Sequence, residues 1–419
     1  MSVPKLRFPE FRGAGKWNRS TLGSIATITS GGTPSRAKQE YWNGNIPWIT
    51  TSLIDFNIIQ SANEFISAIG LKESSAKIFP KNTILMAMYG QGITRGKVAV
   101  LGIDAATNQA CAAILLKKGL NSSFVFQNLA SRYDEIRDLS NQGGQENLSG
   151  GLIAKISFSF PNSNSEQQKI ADCLTSIDAL INAQSQKIET LKTHKKSLMR
   201  QLFPHERKTI PRLRFHAFRD AGAWNMLRFG EIAKFLSGGT PSKDIAEYWN
   251  GDIPWISASS MHSTKIEISD SNITELAVSA GARIAKKGTL LLLVRGSMLH
   301  KRIPMGIAAV TVAFNQDVKA INLNADITEQ FLMFFLMACE AKLLQAVTAT
   351  GIGAGKLDTN DLNDFPVCAP LPQEQQKIAN CLTSIDVLIN VQTQKLEALK
   401  THKKGLMQAL FPAPDEVEA

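Results

Sequence analysis

The feature that most constrains this chain is a long segment that occurs twice. Glu166 to Pro204 returns as Glu374 to Pro412, with about thirty of the thirty-nine positions identical. In the first copy apolar residues fall at Ile170, Leu174, Ile177, Ile181, Ile188, Leu191, Leu198 and Leu202. In the second they fall at Ile378, Leu382, Ile385, Ile389, Leu396, Leu399, Leu406 and Leu410. Steps of three and four mark the seam of a coiled coil. Each seam is interrupted by a glutamine and a lysine, Gln184 and Lys195 in one, Gln392 and Lys403 in the other. Such residues lower stability but fix register and partner. A helix with one apolar stripe must bury it, and the available partner is its own copy. At about 1.5 Å per residue each rod is roughly 55 Å long, comparable to about sixteen base pairs of duplex at ~3.4 Å each.

The repeat extends beyond the helices. Pro4-Lys-Leu-Arg-Phe8 returns as Pro211-Arg-Leu-Arg-Phe215, Trp17-Asn18 as Trp224-Asn225, and Gly31-Gly-Thr-Pro-Ser35 as Gly238-Gly-Thr-Pro-Ser242. Glu40-Tyr-Trp-Asn-Gly44 and Ile46-Pro-Trp-Ile49 return as Glu247-Tyr-Trp-Asn-Gly251 and Ile253-Pro-Trp-Ile256. The chain is therefore two tandem units, each a globular domain followed by a long helix. The expected boundaries are a first domain over 1–160, its helix over 161–204, a linker at 205–210, a second domain over 211–368, its helix over 369–412 and an acidic tail at 413–419. Such a chain can close as a pseudo-two-fold object with antiparallel helices.

Each globular half reads as α+β, with a twisted and largely antiparallel sheet. Thr83 to Met88, Lys97 to Leu101, Thr289 to Val294 and Gly306 to Ala313 are strand-like. Phe124 to Leu139 behind Ser122 and Ser123, and Ile327 to Val347 behind Asp326 with Glu329 completing a capping box, are expected helices. Ser165 with Gln168 is the expected cap of the first long helix, Pro372-Gln373 opens the second, and Pro204 and Pro412 end them.

A formal net charge of +10 points to an acidic partner, nucleic acid before an anionic membrane. The longest apolar run, Phe331 to Cys339, is far short of a membrane span, and Met1-Ser-Val-Pro-Lys5 carries no apolar signal region, so a cytoplasmic protein with no membrane partner is expected. The five cysteines, Cys111, Cys173, Cys339, Cys368 and Cys381, include no Cys-x-x-Cys pair, which disfavours zinc and a disulfide framework.

Where the two units differ is informative. Their openings and helices agree closely, whereas Leu53 to Ser149 and Ser260 to Leu357 agree only at scattered positions. One framework carrying two different surfaces suits a protein that reads two different things at a fixed separation; drift after duplication would have eroded the exposed helix faces as well. The divergent parts hold the vocabulary of base and phosphate contact. In the first, a glycine-punctuated stretch presents Gln91, Thr94, Arg95 and Lys97; in the second, Arg295, Ser297, His300, Lys301 and Arg302 follow one another. Asn108-Gln109 and Asn315-Gln316 recur at the same offset. Thr33 and Ser35 with Arg36 and Lys38, and Thr240 and Ser242 with Lys243, could serve phosphates, although such a turn is more often only a turn. Tyr41, Trp42, Trp48, Tyr248, Trp249 and Trp255 read as core rather than as stacking platforms.

Catalytic signatures are lacking. There is no phosphate-binding loop, since Gly96-Lys97 and Gly355-Lys356 lack the required neighbours, no Asn/Asp-Pro-Pro-aromatic tetrapeptide, no His-Glu-x-x-His and no Gly-x-Ser-x-Gly. His194 and His402 lie on the long helices and read as exposed. A non-catalytic scaffold that binds nucleic acid without sequence preference is the alternative reading of these residues, and an enzyme survives only if a site is assembled from loops.

In order and in duplicate, the Gly-Gly-Thr-Pro-Ser, Tyr-Trp-x-Gly and Ile-Pro-Trp-Ile elements followed by Glu-Gln-Gln-Lys-Ile helices resemble the specificity subunits of type I restriction-modification systems, over essentially the whole chain. Val294-Arg-Gly-Ser297 and Asn315-Gln-Asp317 are similar to such domains too. The resemblance implies a DNA-reading subunit without catalysis or cofactor of its own. It also implies double-stranded DNA as ligand, two modification subunits that bind S-adenosylmethionine and methylate adenine, and restriction subunits driven by ATP and Mg. Each domain would read one half of an asymmetric bipartite target in phage defence, and the helices would set the spacer and dock the modification subunits.

Overall fold

A computed structural model describes residues 3–90, 93–139, 147–205, 208–351 and 353–412. Gln91 of the candidate set and the acidic tail 413–419 lie outside them, as does part of the 205–210 linker. The chain divides into two compact units, Met1–Gln186 with Thr393–Ala419, and Lys187–Gln392. The cut falls within both long helices, Asn164–Leu202 and Pro372–Leu410, so each unit holds the first half of one helix and the second half of the other.

In the first unit a five-stranded sheet runs Ala26–Ser30, Cys111–Leu116, Ile84–Ala87, Val98–Leu101, Ile58–Ile59. Only the last pair is parallel, Ile58 facing Val100. A four-stranded sheet is built on Trp42–Ile49, which pairs antiparallel with Glu64–Ile66 and parallel with Ala105–Thr107. The second unit repeats this with Ala233–Ser237, Val318–Leu323, Leu290–Leu293, Met305–Ala308 and Lys265–Ile266, beside a sheet on Trp249–Ile256. Central strands such as Ile84–Ala87 and Leu290–Leu293 are buried at every position, which explains their unbroken apolar runs. The run from Gly306 to Ala313 is not one strand but two, Met305–Ala308 and Val312–Phe314.

Both expected domain helices are broken. Ser122–Ser131 and Tyr133–Asp138 replace one helix, and Glu329–Ala338 and Glu340–Gln345 the other. Their caps are Asn121, whose Oδ1 accepts from Phe124 N–H, and Thr328, whose Oγ1 accepts from Phe331 N–H, rather than the serines and Asp326. The first long helix starts at Asn164 with Ser163 Oγ accepting from Glu166 N–H at 3.3 Å; Ser165 is already helical.

The opening segment of each unit is clamped to the start of its long helix. Arg7 makes two 2.7 Å bonds to Glu166, and Arg214 two to Glu374. Both carboxylates are 1% exposed, and bidentate geometry makes these strong pairs. Trp17 Nε1 also donates to Glu166. The end of the other helix completes each core. Met407, Leu410 and Phe411 join Trp17 and Phe124 in the first unit, and Met199, Leu202 and Phe203 join Trp224 and Phe331 in the second.

Within each unit the two helix halves are joined by a lysine from the seam. Lys403 Nζ meets Asp178 at 2.7 Å in the first unit, and Lys195 Nζ meets Asp386 at 2.6 Å in the second. In the first unit Ile170 and Leu174 share a core with Met407 and Leu410, and in the second Met199 and Leu202 share one with Ile378 and Leu382, so within each unit the two helix halves run antiparallel. Among the seam residues Ile170, Leu174, Ile177, Ile188, Leu202, Ile378, Leu382 and Leu410 are buried. Ile181, Leu191, Leu198, Ile385, Ile389, Leu396, Leu399 and Leu406 are half-buried. No helix among the described residues is long and apolar enough to cross a membrane.

Candidate nucleic-acid interface

The duplicated turn is held from behind by the duplicated tryptophans. Trp42 Nε1 donates to Ser35 O and Trp48 Nε1 to Gly32 O; Trp249 and Trp255 do the same to Ser242 O and Gly239 O. The indoles pack edge to face at 5.1 and 5.4 Å between centroids. Gly31 and Gly238 are required by close approach, since a Cβ would lie 2.0 Å from the carbonyl of Thr107 or Phe314. The N–H groups of Gly32 and Gly239 point at those same carbonyls, 2.9 Å away.

Thr33 Oγ1 donates to Gln109 Oε1 and Thr240 Oγ1 to Gln316 Oε1, at 2.6 and 2.8 Å. Asn108 Oδ1 accepts from Ala110 N–H and Asn315 Oδ1 from Asp317 N–H. The structure thus brings Thr33, Asn108 and Gln109, and Thr240, Asn315 and Gln316, into equivalent clusters that brace the turns. Beside each cluster lies a hydroxyl pair that the sequence reading passed over, Thr50 with Ser52 and Ser257 with Ser259, at 2.7 and 2.9 Å. The signal was available, because each pair follows the Ile-Pro-Trp-Ile element. Ser35, Ser242 and Lys243 are exposed.

Several candidate cations are held by their own unit. Arg36 is bonded to Glu64, which raises the guanidinium pKa and lowers that of the carboxyl, and it lies 3.7 Å over the Trp42 ring. Lys38 donates to Tyr41 Oη, which raises its pKa, and faces Glu73. Lys97 is paired with Asp55 at 2.7 Å. Thr94 and Arg95 are half-buried in the stretch that follows the strand Ile84–Ala87. In the second unit His300 Nε2 donates to the Gly353 carbonyl at 3.0 Å, and an Arg302 Nη to the Met261 carbonyl at 3.2 Å. Arg295, Ser297 and Lys301 are exposed.

A hairpin also belongs to this surface. Val347–Ala349 pairs with Gly355–Leu357, which pairs with Arg295–Gly296. The two units therefore share the turn and differ in these stretches, and no group of three or more His, Cys, Asp or Glu able to hold a metal occurs among the described residues.

This arrangement defines a class, a duplicated chain of two α+β units, each packed on antiparallel halves of two long helices. Residues 14–193 and 222–401 match the family of type I restriction modification DNA specificity domains, and the chain belongs to it. The EcoR124I/EcoR124II specificity subunit of Escherichia coli is 34% identical over 175 residues, 41% of this chain and 43% of that protein. The MjaIX specificity subunit of Methanocaldococcus jannaschii is 28% identical over 259 residues, 57% of each. The matches thus span about half the length of these curated relatives. A type I S subunit from M. genitalium shares the fold, with a TM-score of 0.62 at 16% identity over 98% of this chain and 100% of that one.

Proposed function

We propose that this chain is the DNA-reading subunit of a type I restriction-modification complex. Each unit would read one half of an asymmetric bipartite target on double-stranded DNA. The observation that carries the reading is the pairing of one duplicated framework with two unlike polar stretches, Thr94 to Lys97 in one unit and Arg295 to Arg302 in the other. Side chains of this kind address base edges, while the Thr, Ser, Asn and Gln clusters shared by both units suit phosphates and sugars, which carry no sequence information.

The duplicated exposed helix faces would dock two modification subunits in equivalent ways. S-adenosylmethionine would be bound on those subunits, with ATP and Mg on separate restriction subunits, and the assembly would work in the cytoplasm. The chain itself would bind, orient and space, without catalysis.

The test is co-expression with a cognate modification subunit followed by single-base mapping of methylated adenines. Two short specific blocks separated by an unspecified gap are the expected result. Methylation without a common motif would instead indicate a scaffold that binds DNA without sequence preference, and its affinity would then show a steep salt slope with no specificity ratio.

A further inference from the structure

We infer that the paired strands Val347–Ala349 and Gly355–Leu357 of the second unit are its groove-reading element, and that Thr348 and Lys356 act with Arg295 as specificity determinants. This rests on the DNA-reading function proposed above. Three observations lead to it.

First, the hairpin is built and positioned. Thr350 N–H and Oγ1 both donate to Ala354 O at 2.8 and 2.9 Å, and Gly353, at φ 78°, returns its N–H to Thr350 O. His300 reaches the Gly353 carbonyl. Gly355 lies so close to the turn below it that a Cβ would stand 2.8 Å from Leu299 Cβ. The hairpin is thereby fastened to the stretch that carries Ser297 and Lys301.

Second, its two faces differ as strand alternation requires. Leu357 and Gly355 are buried, whereas Thr348 and Lys356 are exposed and directly opposed, with Arg295 opposite Lys356 on the next strand. Like charges facing each other across strands are destabilising. Lys356 has an exposed partner in Asp358 at 2.8 Å, a kind of pair that contributes little. Among the described residues no carboxylate pairs with Arg295 or Lys301. A row of hydroxyl and cations kept at this cost fits an anionic ligand, and a β-ribbon fits the major groove of duplex DNA, about 12 Å wide.

Third, the hairpin grows from an anchor that both units share. Leu357 N–H donates to Val294 O at 2.9 Å, and Leu148 N–H to Met88 O at 3.0 Å. Aligned on that bond, Lys356 falls opposite Asn147. The same attachment point thus carries different chemistry in the two units, as independent half-site readers need.

The experiment maps methylated adenines for the complete complex carrying the wild-type chain or the double variant Thr348→Ala, Lys356→Ala. Both substitutions lie on the exposed face and leave the buried side of the hairpin intact. The expected result is that one or more bases in a single half-site become tolerated, with discrimination there reduced roughly tenfold, while the other half-site stays strict and reports an intact complex. An unchanged motif, or a motif altered in both halves, overturns the proposal. So does a lower methylation level at an unchanged motif, which would place a protein partner on this face. A wild-type chain that yields no bipartite motif would instead overturn the underlying function, so the two failures are distinct.

Discussion

Arg7 and Glu166 lie 159 positions apart, and their pairing shows what single residues contribute here. The Pro-x-Leu-Arg-Phe element was visible as a repeat and the Glu-Gln-Gln-Lys-Ile element as a helix start. That the arginine of one clamps the glutamate of the other was not legible, because a contact over that separation leaves no local pattern. Glu166→Gln should leave the 9%-exposed Arg7 side chain without its counter-charge. Breaking one side of a buried pair costs about 3–5 kcal/mol, so the thermal midpoint should fall by roughly 6–12 °C for a unit of this size. Glu374→Gln should behave alike, which comparative melting of the two variants checks. The cysteines give a second test. Burial pushes the Cys111 thiol up to about 12 and Cys368 up to about 11. Both therefore stay protonated at pH 8 and should resist iodoacetamide in the native chain, while unfolding in denaturant should expose them; mass mapping of labelled peptides reads the difference.

Among the elements, the long helices were the most legible, because the seam writes its own period. Even its polar interruptions, which look like faults in sequence, have a structural role, since Lys195 and Lys403 reach Asp386 and Asp178. The domain helices were less legible. Their breaks fall at Arg132 and Cys339, whose backbones leave helical geometry at φ −109°, ψ 22° and φ −94°, ψ 9°. At the first break the Arg132 guanidinium is held by Glu135 and the Ser157 carbonyl, a tertiary cause that apolar periodicity cannot encode. The pairing of Val347–Ala349 with Gly355–Leu357 was not legible for a related reason, since its third strand, Arg295–Gly296, lies some fifty residues away. At this scale the helix pairs make a sharp prediction. Asp386→Lys should place two cations together and lower stability, and adding Lys195→Asp should restore most of the loss. A double-mutant cycle by denaturant unfolding should give a coupling of about 1–3 kcal/mol. A coupling near zero would leave register to the apolar seam alone.

At the scale of the whole chain, the reciprocal contacts constrain how the helices could act as a ruler. A heptad inserted after Gln186 alone would leave Asp178 in register with Lys403 but move Lys195 about 10.5 Å, two helical turns, from Asp386. A heptad inserted after Gln186 and another after Gln392 would preserve both ion pairs, because the added segments fall opposite each other in an antiparallel pair. The single insertion should therefore destabilise the chain. The double insertion should fold and, if the helices set the spacing of the half-sites, lengthen the unspecified gap by about three base pairs at ~3.4 Å each. Three base pairs also turn the second half-site about 100° around the duplex, at ~10.5 base pairs per turn. A heptad turns a helix by only about 20° from its starting phase. The lengthened target should consequently be methylated more weakly than the native one, and mapping methylated adenines for the double-insertion chain measures both the gap and the loss. Retention of the native gap at full efficiency would mean that something other than the helices sets the spacing.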